Sequence, residues 1–154
     1  MKILLLRVAK GSNSWADQAV RDFAQRFTKK LPFEEITIKP ASSSNTLEKR
    51  REDESNRVLR CLKKTDRIIA LDERGLLWKT EELHKEVTHA MNSSTKRIVF
   101  VIGGPFGHAP RLRERAHVTL SLSKMVLNHE LARICIVEQL YRVSTLIWGG
   151  DYHH

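Results

Sequence analysis

The sequence predicts an α/β fold in which a mostly parallel sheet is flanked by helices. Four runs rich in apolar and β-branched residues, and a weaker fifth, alternate with helical patterns, and such alternation is typical of a parallel sheet. The runs at 68–71 and 98–102 are continuously apolar, as in strands that are covered on both faces. The length of 154 residues fits a single domain spanning 1–154,.

The five predicted strands are 3–8, 33–38 (the weaker run), 68–71, 98–102 and 118–122. Between the first two, Trp15, Ala19, Phe23 and Phe27 recur at intervals of four, which predicts an amphipathic helix. Two further helices are predicted over 47–64 and over 80–91, the latter with Thr80 as its cap,.

The last predicted helix, 130–148, is apolar on most of its circumference. One sheet can cover only one side of a helix, so a second surface must cover the rest. This excess of apolar surface predicts a homodimer.

The charge is strongly basic, with 27 Lys and Arg against 18 Asp and Glu, a formal net charge of +9 and a pI near 9.9. Such an excess favours a polyanionic partner, most commonly nucleic acid. A solvated basic surface is the plain alternative. A membrane partner is disfavoured because no segment combines a basic face with a Trp/Phe/Leu face, and no apolar run approaches the roughly 20 residues needed to span a bilayer.

The two cysteines, Cys61 and Cys135, lack C-x-x-C spacing and are interpreted as reduced core thiols in a reducing compartment. The start MKILLLRVAK is interpreted as a first strand rather than a signal peptide. The predicted location is therefore the cytoplasm.

Three loops follow three of the predicted strands: LDERG at 71–75, GGPFG at 103–107 and LSKMVLNH at 122–129. Ligands of open α/β sheets bind outside the carboxyl ends of the strands, and Gly103 and Gly104 would let the backbone approach a ligand closely. Taken alone, a GGPxG stretch is more typical of a turn. The sequence contains no phosphate-loop motif, no serine nucleophile elbow and no histidine spacing typical of a metal site.

The run SLSKMVLNHELARICIVEQLYRV, with upstream LDERG and VIGGPFGH and a terminal YHH, closely resembles the large-subunit rRNA methyltransferase H family of the SPOUT class. The resemblance covers essentially the whole chain, and the order of the three loops is far more specific than any one of them. It implies a single SPOUT domain with a C-terminal trefoil knot, a homodimer, and S-adenosylmethionine held bent by the three loops. It also implies that the substrate is a pseudouridine of 23S-type rRNA, methylated at the ring nitrogen of position 3.

Residue by residue, the resemblance places the cofactor at ten positions. Plain core packing is the alternative for Leu71, Met125 and Leu127. The family's usual V-G-K is Val8-Ala9-Lys10 here, and its usual proline before the histidine is Asn128, which bears on the shape of the third loop. The LDERG and VLNH variants look like plant-type members, so an organellar origin stays open. The ten positions are Leu71, Gly103, Gly104, Ser123, Lys124, Met125, Val126, Leu127, Asn128 and His129.

Candidate catalytic residues lie on the last helix and in the tail. Glu138 and Arg142 are four residues apart with the acid first, the favoured order for a helix ion pair. In the functional interpretation Arg142 meets an RNA phosphate or the base, and Glu138 orients it. Tyr152 could stack on a splayed base, and His153 could exchange a proton with it; a frayed terminus is the alternative.

The basic stretch containing Arg111, Arg113 and Arg115 suits a phosphate contact, although a solvated helix face fits it slightly better. We expect direct methyl transfer, in which a base or a polarising contact helps to remove the proton from the ring nitrogen and positioning supplies much of the rest. Two other functions remain open: a non-enzymatic RNA-binding or ribosome-assembly protein, and a SPOUT methyltransferase that acts on tRNA. The short chain, without an extra RNA-binding domain, argues against the latter.

Overall fold

A computed structural model describes residues 1–11, 14–43 and 46–150. Its five strands form one sheet in the order β2-β1-β4-β3-β5, and every pairing is parallel, as predicted. The strands are β1 (Lys2–Val8), β2 (Phe33–Ile38), β3 (Arg67–Leu77), β4 (Arg97–Ile102) and β5 (Val118–Ser121). The helices are α1 (Ser14–Phe27), α2 (Leu47–Cys61), α3 (Thr80–Asn92), α4 (Pro110–Arg115) and α5 (His129–Trp148).

The sheet lies between two helical layers because its central strands are apolar on both sides. In β1, Ile3 and Leu5 face the core shared with α1, α3 and α5, whereas Leu4 and Leu6 face the core shared with α2 and α4. The side chains of β4 alternate in the same way. The continuous apolar runs therefore correspond to doubly covered strands, as the sequence predicts.

Two helix boundaries differ from the prediction. Helix α2 ends at Cys61 rather than at 64, because Leu62 adopts an extended conformation (φ −88°, ψ 142°). The chain then turns, and the Asp66 carboxylate accepts the Lys63 N–H at 2.7 Å. Thr80 is the first residue of α3 and not its cap: Lys79 holds the cap position, and its N–H donates to Glu82 Oε2 at 2.7 Å.

The sequence predicts that the LDERG segment is a loop after β3. In the structure it is an irregularity within that strand. Leu71 and Leu76 both pair with Leu120 of β5, so residues 72–75 bulge out of the ladder. Gly75 is required there, because a β-carbon at this position would lie 2.6 Å from the Thr119 carbonyl oxygen. The bulge turns the segment after Leu71 outward at the carboxyl edge of the sheet.

Helix α5 begins at an Asn128 cap, whose side chain accepts the Leu131 N–H at 2.9 Å. One side buries Ile136, Val137, Leu140 and Val143 against the sheet, α1 and α3. In the parts of the chain that the structure describes, neither α5 nor another helix is both long enough and apolar enough to cross a membrane.

A buried ion-pair cluster fastens the start of α5 to the opposite half of the sheet. Arg133 of α5 donates to Glu35 of β2 at 2.6 Å, to Asp17 of α1 at 2.6 Å and to Glu130 at 3.2 Å. Arg7 of β1 donates to Glu130 at 3.0 Å. Burial opposes the charge of Arg133, yet the hydrogen bonds from Glu35 and Asp17 prevail and raise the pKa of the guanidinium.

Candidate active site

A cavity of about 410 Å³ opens at the carboxyl ends of β3, β4 and β5. Three segments that are far apart in sequence form its walls: the bulge of β3, the glycine loop after β4, and the loop between β5 and α5. The bases of these walls are apolar, with Ile102, Leu120 and Leu122 lining them. The three segments that the sequence predicts as loops therefore meet around one cavity.

Eight of the ten residues proposed for the cofactor line this cavity, and Lys124 and Asn128 do not. Lys124 is exposed to solvent, and the Asn128 side chain is engaged in capping α5. The eight that line the cavity are Leu71, Gly103, Gly104, Ser123, Met125, Val126, Leu127 and His129.

The glycine loop is packed tightly from behind. A β-carbon on Gly103 would lie 2.9 Å from the ring of His108, and one on Gly104 would overlap the carboxylate of Glu54. Glu54 is 2% exposed, and its Oε1 accepts the Ala41 N–H at 3.0 Å. Both glycines are thus needed for the contacts behind the loop, where an added β-carbon would collide.

His108 joins two walls of the cavity. It is 1% exposed, and its Nε2 lies 2.9 Å from the Leu71 carbonyl oxygen. Burial, followed by the nearby charge of Arg113 and Arg74, lowers the pKa of this imidazole. Because a carbonyl oxygen only accepts hydrogen bonds, His108 donates to it from a protonated Nε2, and the lowered pKa favours the neutral ring.

The third loop is held by its own serines and exposes its apolar residues. Ser121 Oγ donates to the Ser123 carbonyl at 2.8 Å, and the Met125 N–H donates to Ser123 Oγ at 2.9 Å. Met125 is 75% exposed and Val126 77%, so the core alternative for Met125 is wrong. Two large apolar side chains at the mouth of a cavity are available to cover a ligand.

Two arginines are anchored at the same mouth by Asp72, whose side chain is 4% exposed. Arg74 binds the two Asp72 oxygens through Nε at 2.9 Å and Nη2 at 3.0 Å, and Arg113 Nη2 lies 3.4 Å from Asp72 Oδ2. Burial would raise the pKa of Asp72, but the hydrogen bonds from Arg74 and the charge of Arg113 keep it lowered. The carboxylate is therefore ionised and fixes both guanidinium groups.

Glu138 and Arg142 lie beside a second cavity rather than in the first. This cavity of about 740 Å³ is bordered by α5, α3 and the end of β5. Arg142 Nε donates to Glu138 Oε1 at 2.6 Å, and Gln139, held by the Thr80 hydroxyl at 2.7 Å, donates to Glu138 Oε2 at 2.8 Å. Residues 120–122 line both cavities, so the two spaces adjoin at the end of β5.

The basic stretch of α4 serves several purposes. Arg111 is exposed, Arg113 lies at Asp72, and Arg115 Nη2 donates to the carbonyl oxygens of Lys63 and Lys64 at 2.9 and 3.2 Å.

The tail positions Tyr152, His153 and His154 lie outside the described residues. Within residues 1–11, 14–43 and 46–150, no three His, Cys, Asp or Glu side chains cluster so as to hold a metal ion.

Sequence reasoning missed Glu54, Asp72, Arg74 and His108. The D-x-R spacing within LDERG was an available signal, because a bulge brings such side chains together. For Glu54, which looks like one more charge on a charged helix, no sequence signal existed.

The chain is a parallel α/β domain whose ligand-sized cavity lies between three loops at the carboxyl edge of the sheet, the place where ligands of such domains bind. A family model described as "Predicted SPOUT methyltransferase" matches residues 1–153, and the chain belongs to this family of methyltransferases. It is 34% identical over 156 residues to the ribosomal RNA large subunit methyltransferase H of Phocaeicola vulgatus, covering 100% of this chain and 99% of the relative. The protein of the same name from Bacteroides thetaiotaomicron gives the same identity and coverage, and that from Geotalea daltonii is 34% identical over 154 residues, the full length of both chains.

Proposed function

We propose that this protein transfers a methyl group from S-adenosylmethionine to the ring nitrogen at position 3 of a pseudouridine in large-subunit rRNA. The observation that carries the proposal is the meeting of the three loops around one cavity in a chain that matches the rRNA large subunit methyltransferases H over its full length. A protein that only binds RNA has no use for such a cavity.

The residues around the first cavity suit the methyl donor. Its volume of about 410 Å³ lies within the range of small-molecule sites, roughly 300–1,000 Å³. Ile102, Leu120 and Leu127 offer apolar walls for an adenine ring, and the backbone of Gly103 and Gly104 is open to a ligand on the cavity side. S-adenosylmethionine bound there would supply a methyl group on a sulfonium, which is already electrophilic and needs no metal.

The target base is proposed to enter the second cavity, which adjoins the first at the end of β5. The ring nitrogen of a uridine-type base is a poor nucleophile while it is protonated. Arg142, oriented by Glu138, can stabilise negative charge as it develops on a neighbouring carbonyl oxygen of the base. His153 and Tyr152 of the tail are proposed to complete the site, with His153 as the proton acceptor and Tyr152 as a stacking surface.

The proposal includes the homodimer and the C-terminal trefoil knot of the family. The half-exposed side of α5, with Leu131, Ile134 and Cys135, supports a covered interface. Helix α5 packs on the same side of the sheet as α1 and α3, so the chain after β5 returns past the loops of β3 and β4, which supports a knotted path. The free thiols of Cys61 and Cys135 support the cytoplasm as the place of action.

The decisive experiment supplies the purified protein with methyl-labelled S-adenosylmethionine and, separately, with intact ribosomes, naked rRNA and tRNA. The ribosomes come from cells lacking the endogenous activity. We expect label in large-subunit rRNA and 3-methylpseudouridine after nucleoside mass spectrometry. Label in tRNA alone would instead support the transfer-RNA enzyme, and binding without label would support an assembly protein.

A further inference from the structure

Three arginines lie around the glycine loop, and Arg74 among them lines the first cavity. Arg74 and Arg113 converge on Gly107: a β-carbon there would lie 3.5 Å from Arg74 Nη2 and 3.8 Å from Arg113 Nη2. The guanidinium carbon of Arg50 lies 4.5 Å from the centre of the ring of Phe106, the residue before Gly107. We call Arg50, Arg74 and Arg113 the arginine rim.

The rim is held in place by other side chains. Asp72, almost fully buried, holds Arg74 by two hydrogen bonds and Arg113 by an ion pair. Phe106 supports Arg50 by a cation–π contact,. A guanidinium group that is fixed beforehand loses less conformational entropy when it binds a ligand.

The rim retains hydrogen-bond donors. Around the same loop lie three carboxylates: Asp72, which is engaged by Arg74 and Arg113, the exposed Glu73, and Glu54, which is buried beneath Gly104. A guanidinium has five N–H donors, and Arg74 commits two of its nitrogens to Asp72. Within the described residues, the buried Nε groups of Arg50 and Arg113 have no hydrogen-bond partner.

We propose that the arginine rim binds phosphate groups of the rRNA that flank the target nucleotide, with Asp72 as the positioning residue. The inference rests on the proposed function, because it takes rRNA as the substrate. Guanidinium groups match phosphate oxygens in geometry and charge, and phosphate contacts fix the register of a nucleic acid on a protein.

The carboxylate of the methyl donor is the other anion that could meet these arginines. A single carboxylate can be satisfied by one bidentate arginine, whereas the rim has three arginines. The Arg74 side chain is 60% exposed and that of Arg113 35%, so both remain open to a large ligand outside the cavity. These observations favour a polyanion.

The test compares two double variants that remove the same charge. Arg74→Gln/Arg113→Gln changes the rim while leaving amide donors for Asp72. Lys30→Gln/Lys96→Gln is the control: both lysines are exposed, and each precedes a strand at the opposite, amino edge of the sheet. Arg50→Met, which keeps an apolar stem on Phe106, tests the third arginine separately. Thermal unfolding of each variant confirms that it is folded.

Binding of the full-length protein to ribosomes is measured by co-sedimentation at several KCl concentrations, independently of methyl transfer. We expect the rim variant to bind at least about tenfold more weakly near physiological salt. The slope of log affinity against log salt should fall by roughly 1.4–1.8, about 0.7–0.9 for each lost phosphate contact. Arg50→Met should show about half of this change in slope, and the lysine control should change affinity less than twofold.

Affinity for S-adenosylmethionine is measured by calorimetry on the same proteins. We expect the rim variant to differ from the parent protein less than twofold. Weaker binding of S-adenosylmethionine with unchanged ribosome binding would assign the arginines to the donor carboxylate and overturn the proposal. Unchanged affinity and salt slope for ribosomes would also overturn it. Ribosome binding without methyl transfer by the parent protein would contradict the proposed function but leave the rim proposal standing.

Discussion

Individual side chains around the cavity determine which substitutions can test it. A valine at Gly104 would collide with Glu54, which is buried beneath that glycine. Loss of cofactor binding would then be confounded with displacement of α2. A position that faces the cavity without packing behind the loop gives a cleaner result.

Ala132 of α5 is such a position, because it lines the first cavity and lies in a regular part of the helix. We expect Ala132→Phe to weaken binding of S-adenosylmethionine at least about 100-fold in calorimetry, since the ring would occupy the space of the ligand. Ala132→Ser, which adds one atom, is the matched control and should bind within about threefold of the parent protein. Equal affinity of the two variants would show that the cofactor binds elsewhere.

Two histidines should make the stability of the protein fall as the pH is lowered below about 6.5. Burial lowers the pKa of both His108 and His117, and His117 Nδ1 accepts the Ile68 N–H at 3.0 Å. A lowered pKa in the folded state means that the unfolded chain binds more protons. Stability is therefore complete above the ordinary pKa of about 6.5 and is lost as the pH falls through it.

We expect the thermal unfolding midpoint to fall between pH 6.5 and pH 5.5. His108→Gln and His117→Asn, whose amides replace the bonding nitrogens, should each flatten this dependence. Asp66 and Asp72 do not contribute in this range, because their pKa values are lowered from 3.8 and their stabilisation is lost only in stronger acid. If the unfolding midpoint of a variant that carries both substitutions fell as steeply with pH as that of the parent protein, the assignment to these histidines would be contradicted.

At the scale of elements, the ion-pair cluster ties α5 to β1, β2 and α1. Within the described residues, Arg133→Met would remove one of the two arginines that pair with Asp17, Glu35 and Glu130. Uncompensated buried charge typically costs about 3–5 kcal/mol, and we expect a loss of this size in the free energy of unfolding, measured with urea. Arg26→Met removes an exposed arginine of α1 and should cost less than about 1 kcal/mol. A small loss in Arg133→Met would show that the cluster is dispensable.

The C-terminal tail follows α5 directly and lies outside the described residues. If Tyr152 stacks on the target base, worth about 1–3 kcal/mol, and His153 handles its proton, deletion of residues 152–154 should reduce methyl transfer at least about tenfold. Affinity for S-adenosylmethionine should barely change, because the three loops lie upstream of the cut. Normal turnover of ribosomes by the shortened protein would show the tail to be an ordinary frayed end.

At the scale of the molecule, local sequence patterns predicted the elements better than their junctions. Apolar runs identified all five strands because each strand of this sheet buries its own residues. The bulge of β3 could not be predicted, since it depends on Leu120 pairing with both Leu71 and Leu76 across nearly fifty positions. Contacts of this kind, like those of Glu54 with Gly104, arise only when distant segments fold together.

The sequence predicts which segments form the site but not how all of their side chains are arranged around it. The three segments were named in advance because glycines and strand ends mark them, and the structure brings all three to one cavity. The separation of Glu138 and Arg142 into a neighbouring cavity was not predicted, because helix periodicity fixes which residues share a face but not what lies opposite that face.

The homodimer is the last expectation, and exposed apolar residues of α5 make it testable. Leu131 is 42% exposed on α5, on the side where Ile134 and Cys135 are also half-exposed. We expect the protein to sediment at micromolar concentration with about twice the 17.8 kDa of one chain.

Leu131→Lys would place a charge in the interface and should produce monomers. Leu47→Lys is the matched control, because Leu47 is 61% exposed at the start of α2 on the opposite face of the sheet, and it should remain dimeric. Particles of about 18 kDa alone in the parent protein would contradict the dimer.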